Sequence, residues 1–148
     1  MASTKTINVS YNGNTITFSG DLTDNNKKVL IPQGQCTINI EANSTQPNPF
    51  EFVGIALLGS GLVQGYSRKS IQGDSILAWS STGQNIFSFY VEEIDSGLIR
   101  LLDNNQKTTG QNLVVGGFQV TIKVTGGSQE GKIVISRDPE FENEKTTN

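Results

Sequence analysis

The sequence predicts an all-β protein built as an antiparallel β-sandwich, on three observations. Apolar and polar residues alternate in short runs over most of the chain. Gly, Asn, Ser and Thr interrupt these runs at close intervals. No stretch places apolar residues at the spacing of an amphipathic helix. Short strands without helical crossovers are typical of antiparallel sheets, and we favour a sandwich over a barrel.

The clearest strand pair opens the chain. Ile7, Val9 and Tyr11 alternate with polar residues, and the alternation resumes at residues 16–18. Asn12-Gly13 lies between the two runs. Because Asn-Gly tolerates the positive φ angles of a type I′ turn, we predict a hairpin with a two-residue loop.

The same alternation, or a short apolar run, predicts the remaining strands. They cover residues 28–31, 35–41, 50–58, 75–79, 86–92, 98–102, 113–124 and 132–136. The total is about nine or ten strands, as in Ig-like or jelly-roll-like sandwiches. The two prolines of residues 46–49 predict a stiff loop, and Gly116-Gly117 predicts a bulge or a bend.

Two segments predict buried positions. The lone cysteine, Cys36, alternates with Ile38 and Ile40, so we expect it to be a core thiol. Residues 52–58 are apolar on both faces of their strand. Such a strand is either central in a sandwich or covered by another subunit, and we favour the central position.

The 148 residues match the size of one domain. We assign residues 1–139 to a single sandwich and 140–148 to a polar, acidic tail, mobile unless Phe141 docks on the sandwich. The chain begins without the apolar stretch of a secretory signal and contains no apolar run long enough for a spanning helix. We therefore expect a soluble, cytoplasmic protein.

Composition excludes most catalytic chemistry. The chain has no histidine and one cysteine, so it lacks the commonest general base at neutral pH and any metal-binding cysteine pair. Neither a nucleophile elbow nor a phosphate-binding loop is present. The net charge is −3 and the basic residues are scattered, which argues against a nucleic-acid partner. We expect a non-enzyme without cofactors.

The carboxylates offer two weaker candidates. Glu92, Glu93 and Asp95 are the nearest approach to a glycosidase pair, but the first two would point to opposite strand faces and the third begins a turn. Asp138, Glu140, Glu142 and Glu144 occupy alternate positions. An extended backbone would place those four on one side, as a calcium site would require, but a solvated acidic face is the simpler interpretation.

A carbohydrate site would use aromatic side chains beside polar loops. Tyr66 and Trp79 are the aromatic candidates, and Asp103 is a nearby polar candidate. Trp79 ends an apolar strand, so a core position competes with a binding role.

The end of the chain carries a family resemblance. A strand at residues 132–136 is followed by Ser-Arg-Asp-Pro, which includes Asp138 and Pro139, and then by a polar segment. This pattern, with Phe-Val-Gly at residues 52–54, resembles the DP-EP family of small bacterial all-β proteins. A remoter likeness is to the AidA and PixA inclusion-body proteins. The chain has no Glu-Pro dipeptide, which is a departure from the family pattern. The resemblance implies an all-β fold and favours self-assembly; it implies no activity.

These observations lead to two hypotheses about function. The first is a non-catalytic protein that forms a homo-oligomer or a larger assembly through edge strands and neutral polar faces, since only 17% of the residues are charged. The alternative is a lectin-like module that binds glycans, with or without calcium, through loops around Tyr66, Trp79 and Asp103.

Overall fold

The fold is a sandwich of two β-sheets. The computed structural model describes residues 3–23, 25–32, 34–59, 67–71, 76–80, 87–105, 113–137 and 139–143. The strands are β1 (Ser3–Tyr11), β2 (Ile16–Gly20), β3 (Lys28–Ile31), β4 (Gly34–Ala42), β5 (Phe50–Gly59), β6 (Ser67–Ile71), β7 (Ile76–Ser80), β8 (Phe87–Ile94), β9 (Leu98–Asn105), β10 (Leu113–Val124), β11 (Ile133–Ile135) and β12 (Glu140–Asn143). One short 3₁₀ turn, Gly127–Gln129, precedes β11. The predicted all-β sandwich is confirmed.

Both sheets are mixed, which corrects the expectation of purely antiparallel pairing. The first sheet has the order β2-β1-β4-β9-β8, and the second has the order β3-β12-β10-β5-β7-β6 with β11 beside β10. Parallel pairs join β1 to β4, β5 to β7 and β3 to β12. Each parallel pair joins strands separated by a long stretch of chain, as parallel pairing requires. Alternation reports which face a residue occupies and carries no information on strand direction.

The core lies between the two sheets and consists of the inward residues of the alternating strands. Cys36, Ile38 and Ile40 of β4 are fully buried, so the predicted core thiol is confirmed. Phe118 of β10 meets Phe18 of the opposite sheet edge to face, with ring centroids 5.7 Å apart. Contacts between rings of the two sheets add to the hydrophobic stabilisation that burial provides.

The strand that is apolar on both faces, β5, is an inner strand. It pairs with β10 on one side and with β7 on the other. Its inward residues Phe52 and Ile55 are buried. The residue that follows each of them, Val53 and Ala56, is half-buried. This confirms the central position, because neighbouring strands flank β5 within one chain.

The first hairpin is confirmed, but its predicted turn is wrong. The last pair of β1 and β2 is Tyr11 opposite Ile16, so the loop has the four residues 12–15. The Oδ1 atom of Asn12 accepts hydrogen bonds from the N–H groups of Asn14 and Thr15, both at 2.8 Å. Within this loop only Gly13 has a positive φ, 93°, whereas a type I′ turn needs two such residues. The asparagine side chain therefore caps a wider loop.

The last described strand, β12, corrects the start of the expected tail. Residues 140–143 lie between β3 and β10, and Phe141 is fully buried with its ring stacked on Phe118 at 5.4 Å. Phe141 supplies the docking contact on which the order of this segment depends. Residues 144–148 lie outside the described part of the chain.

A glycine allows β12 to approach β10. A Cβ atom on Gly117 would lie 2.6 Å from the carbonyl oxygen of Pro139, the residue before β12. That carbonyl accepts a hydrogen bond from the N–H of Phe118 at 3.1 Å. The β10–β12 register shifts between Val114 and Gly116, which confirms the predicted bulge beside the glycine pair.

Candidate functional site

The feature of this fold with most potential for binding is the outer edge of β11. This strand pairs antiparallel with β10, where Val134 lies opposite Ile122. Two hydrogen bonds, one on each side of that pair, show which residues of β11 direct their backbone groups toward β10. Val124 N–H donates to Lys132 O, and Ser136 N–H donates to Val120 O, both at 2.9 Å. Residues two apart share a bonding direction, so the N–H and C=O groups of Val134 face β10.

The neighbours of Val134 point their backbone groups the other way. The N–H and C=O groups of Ile133 and Ile135 face away from β10, because bonding direction alternates along an antiparallel strand. Within the part of the chain that the structure describes, no strand pairs with this side of β11. An edge of this kind can accept another strand.

The side chains of the same two residues are apolar and exposed. Ile133 is 53% exposed and Ile135 is 63% exposed, and they are the exposed large hydrophobic residues among those the structure describes. Val134 points to the other face and packs against the core. The open edge therefore combines outward backbone groups with a pair of isoleucines on one face, and we call residues 133–135 with this geometry the β11 edge.

Hydrogen bonds hold the C-terminal end of the β11 edge in place. The Ser136 hydroxyl, 5% exposed as a residue, accepts from Val120 N–H at 3.0 Å and donates to Arg137 O at 2.6 Å. The Arg137 guanidinium lies 5.1 Å from the ring centroid of Phe18 and donates to Asn26 O at 2.6 Å. These contacts tie the end of β11 to both sheets.

The turn before β11 is also anchored. Tyr11 donates its hydroxyl hydrogen to Gln129 Oε1 at 2.6 Å, and Gln129 Nε2 donates to Gly13 O at 2.8 Å. The strand is thus fixed at both ends, so little conformational entropy would be lost when a partner binds.

A shallow groove runs beside the β11 edge. It has a volume of about 220 Å³ and separates the end of the first hairpin from β11. Its lining residues are Asn14, Thr15, Ile16, Val134, Ile135, Ser136 and Arg137. The groove thus lies between the first hairpin and β11, and the exposed Ile135 borders it.

The sequence predicted the strand but not its role. The sequence predicts a strand at residues 132–136, and Ile133, Val134 and Ile135 make both of its faces apolar. The sequence signal for this strand is a short apolar run with the charged residues Lys132 and Arg137 nearby. A run that is apolar on both faces also predicts β5. Pattern alone could not say that β11 pairs on one side and lacks a partner on the other among the described strands.

The described backbone places two of the three candidate carbohydrate residues, and they lie in different sheets. Tyr66 lies outside the described residues. Trp79 is in β7 of the second sheet and Asp103 is in β9 of the first, and their side chains lie outside the described part. The lectin hypothesis stays a prediction.

The turn interpretation of Asp95 is confirmed. Its Oδ1 atom accepts from the N–H groups of Gly97 and Leu98, at 2.8 and 2.7 Å. Glu92 is the extra residue where the β8–β9 register shifts between Val91 and Glu93. The side chains of Glu92 and Glu93 lie outside the described part of the chain.

The alternating acidic residues are split by their surroundings. Glu140 is exposed, whereas Glu142 is half-buried and forms an ion pair with Lys28, with Oε1 and Nζ 3.1 Å apart. Asp138 and Glu144 lie outside the described residues. Among the residues that the structure describes, no group of three His, Cys, Asp or Glu side chains could hold a metal ion. The Lys28 contact gives Glu142 a structural partner.

The Asp-Pro motif is described in part. Pro139 is buried before β12, where its carbonyl accepts a bond from β10, while Asp138 lies outside the described residues. The chain matches no known family model and none of the curated proteins compared with it. The resemblance to the DP-EP family therefore stays a prediction.

Among the described residues, no helix has the length and apolar character needed to cross a bilayer.

Proposed function

We propose that this protein acts by self-association rather than by catalysis, and that the β11 edge supplies the contact between copies. The observation that carries the proposal is the coincidence, in one short strand, of an open backbone edge with the exposed side chains of Ile133 and Ile135. Natural sheet edges are commonly protected by charge, proline or a covering segment. In the described residues, charges flank this edge without lying in it.

The charge of the molecule favours contact between copies. A net charge of −3 gives only weak repulsion at physiological ionic strength. On the strands beside β11, Lys123 of β10 lies opposite Glu51 of β5, so these two charges offset each other. No strong field of one sign therefore opposes a second copy.

Sedimentation velocity over a wide concentration series tests the proposal. We expect the weight-average sedimentation coefficient to rise with concentration as copies associate. A coefficient that stays at the monomer value up to the highest attainable concentration would refute self-association. Measuring at low and high salt separates apolar pairing, which salt leaves nearly unchanged, from attraction between charges.

A further inference from the structure

We propose that two copies of the chain pair through β11, antiparallel and about a two-fold axis that passes through Val134. The second sheets of the two copies then join into one continuous sheet. This inference rests on the self-association proposed above, and it specifies the surface, the register and the symmetry.

The backbone geometry of the β11 edge selects the register. Because Ile133 and Ile135 carry the outward N–H and C=O groups, a second strand must place its own outward groups opposite them. An antiparallel copy of β11 does so when Ile133 of one copy lies opposite Ile135 of the other. Each isoleucine then donates one backbone hydrogen bond and accepts one. Val134 meets Val134 of the second copy as the non-hydrogen-bonded pair on the axis.

The side chains favour the same register. Ile133 and Ile135 lie on the outer face, so the isoleucines of both copies would form one apolar cluster across the axis. Shifting the register by two residues in one direction would set Ile135 opposite Gly131, and shifting it in the other direction would set Ile133 opposite Arg137. Either shift loses one of the two isoleucine pairs, so the symmetric register buries the most apolar surface.

The positions of the charges around β11 in this register favour a second copy as the occupant. Lys132 lies opposite Ser136 of the other copy, so the paired strands set no like charges against each other. Continuing one residue further, Arg137 lies opposite the neutral Gly131 of the second copy, between its Glu130 and Lys132, so charges of both signs adjoin it. The Arg137 guanidinium stays bonded to Asn26 O and over the Phe18 ring of its own copy.

The symmetry limits the size of the assembly. An antiparallel contact about a two-fold axis uses the same surface on both copies, so pairing fills both β11 edges and stops at a dimer. The contact is short, and a small interface gives a reversible dimer rather than an obligate one. A larger ordered assembly would require a different surface.

Lysine substitutions test the surface. In Ile133→Lys/Ile135→Lys, both changes lie at exposed positions, so the monomer should fold, as far-UV circular dichroism can verify. We expect the dimer dissociation constant to rise by about 100-fold or more, since four isoleucines leave the contact and four charges enter it. The matched control is Thr17→Lys, an exposed residue on the edge strand of the other sheet, which should dimerise like the unmodified chain.

A cysteine at the axis tests the register. In Val134→Cys, the two cysteines would form a non-hydrogen-bonded pair with Cα atoms about 4.5 Å apart, within the range of a disulfide. Mild oxidation should yield a covalent dimer on a non-reducing gel. Thr17→Cys should yield none, and the native Cys36 is buried in both variants.

The outcomes separate this inference from the function on which it rests. A strictly monomeric unmodified chain refutes the self-association itself. Three other outcomes would overturn the β11 pairing: association that survives the paired lysine substitution, no cross-link at position 134, or an assembly of more than two copies. Each would mean that the chain self-associates through another surface.

Discussion

Replacing Phe141 by alanine tests whether the C-terminal strand belongs to the core. The Phe141 side chain is fully buried, and its ring stacks on Phe118 at 5.4 Å. Truncating a buried phenylalanine to alanine costs about 3–5 kcal/mol, because transfer free energy is lost and a cavity remains. A domain of this kind has a free energy of unfolding of about 5–15 kcal/mol, so the variant would lose a large fraction of its stability.

Urea denaturation followed by circular dichroism measures the effect. With an m-value of about 2 kcal/mol per molar urea, a loss of 4 kcal/mol lowers the midpoint by about 2 M. Phe141→Leu keeps most of the volume and should lose less than half as much. Glu140→Ala changes an exposed neighbour in the same strand and should shift the midpoint little. A loss below about 1 kcal/mol in Phe141→Ala would refute the integral role of β12.

Three further predictions concern the packing and the charges. Gly117→Ala should lower the free energy of unfolding, measured by urea denaturation, by about 1–3 kcal/mol, because its Cβ would lie 2.6 Å from a carbonyl oxygen. Gly97→Ala, whose nearest contact is 3.9 Å away, should lower it far less. Equal losses in the two variants would contradict the close packing at Gly117. The Cys36 thiol, fully buried, should react with a thiol reagent only at the rate of unfolding, and immediate reaction in native buffer would contradict its burial. Lys28→Gln should lower the free energy of unfolding by at most about 1 kcal/mol, because its ion pair with Glu142 is partly exposed. The loss should be smaller in molar salt, which screens the pair. A larger loss that salt leaves unchanged would contradict this weak contribution of the ion pair.

The fold class could be predicted because burial follows the period of two along most strands. Cys36, Ile38 and Ile40 show this directly: each apolar residue is buried, and the residues between them are half-buried. A short apolar run predicts the strand of residues 132–136, and the glycine pair predicts the bulge in β10. These are local properties of the chain.

The remaining features depend on contacts between distant segments. The sequence of β12 predicts an acidic tail, because Glu140 and Glu142 flank Phe141. Phe141 becomes a core residue because β12 lies between β3 and β10. Strand β6 has few apolar residues and forms by pairing with β7. The open side of β11 is likewise a property of the sheet order, which one sequence pattern does not encode.

Backbone amide exchange at β11 tests the association most directly. The N–H groups of Ile133 and Ile135 face away from β10 and should exchange fast in dilute solution, whereas that of Val134 bonds to β10 and should be protected. At high concentration the pairing predicts that Ile133 and Ile135 become protected, with Val134 unchanged. Exchange at Ile133 and Ile135 that stays fast at every concentration, while the protein sediments as an oligomer, would contradict the β11 contact.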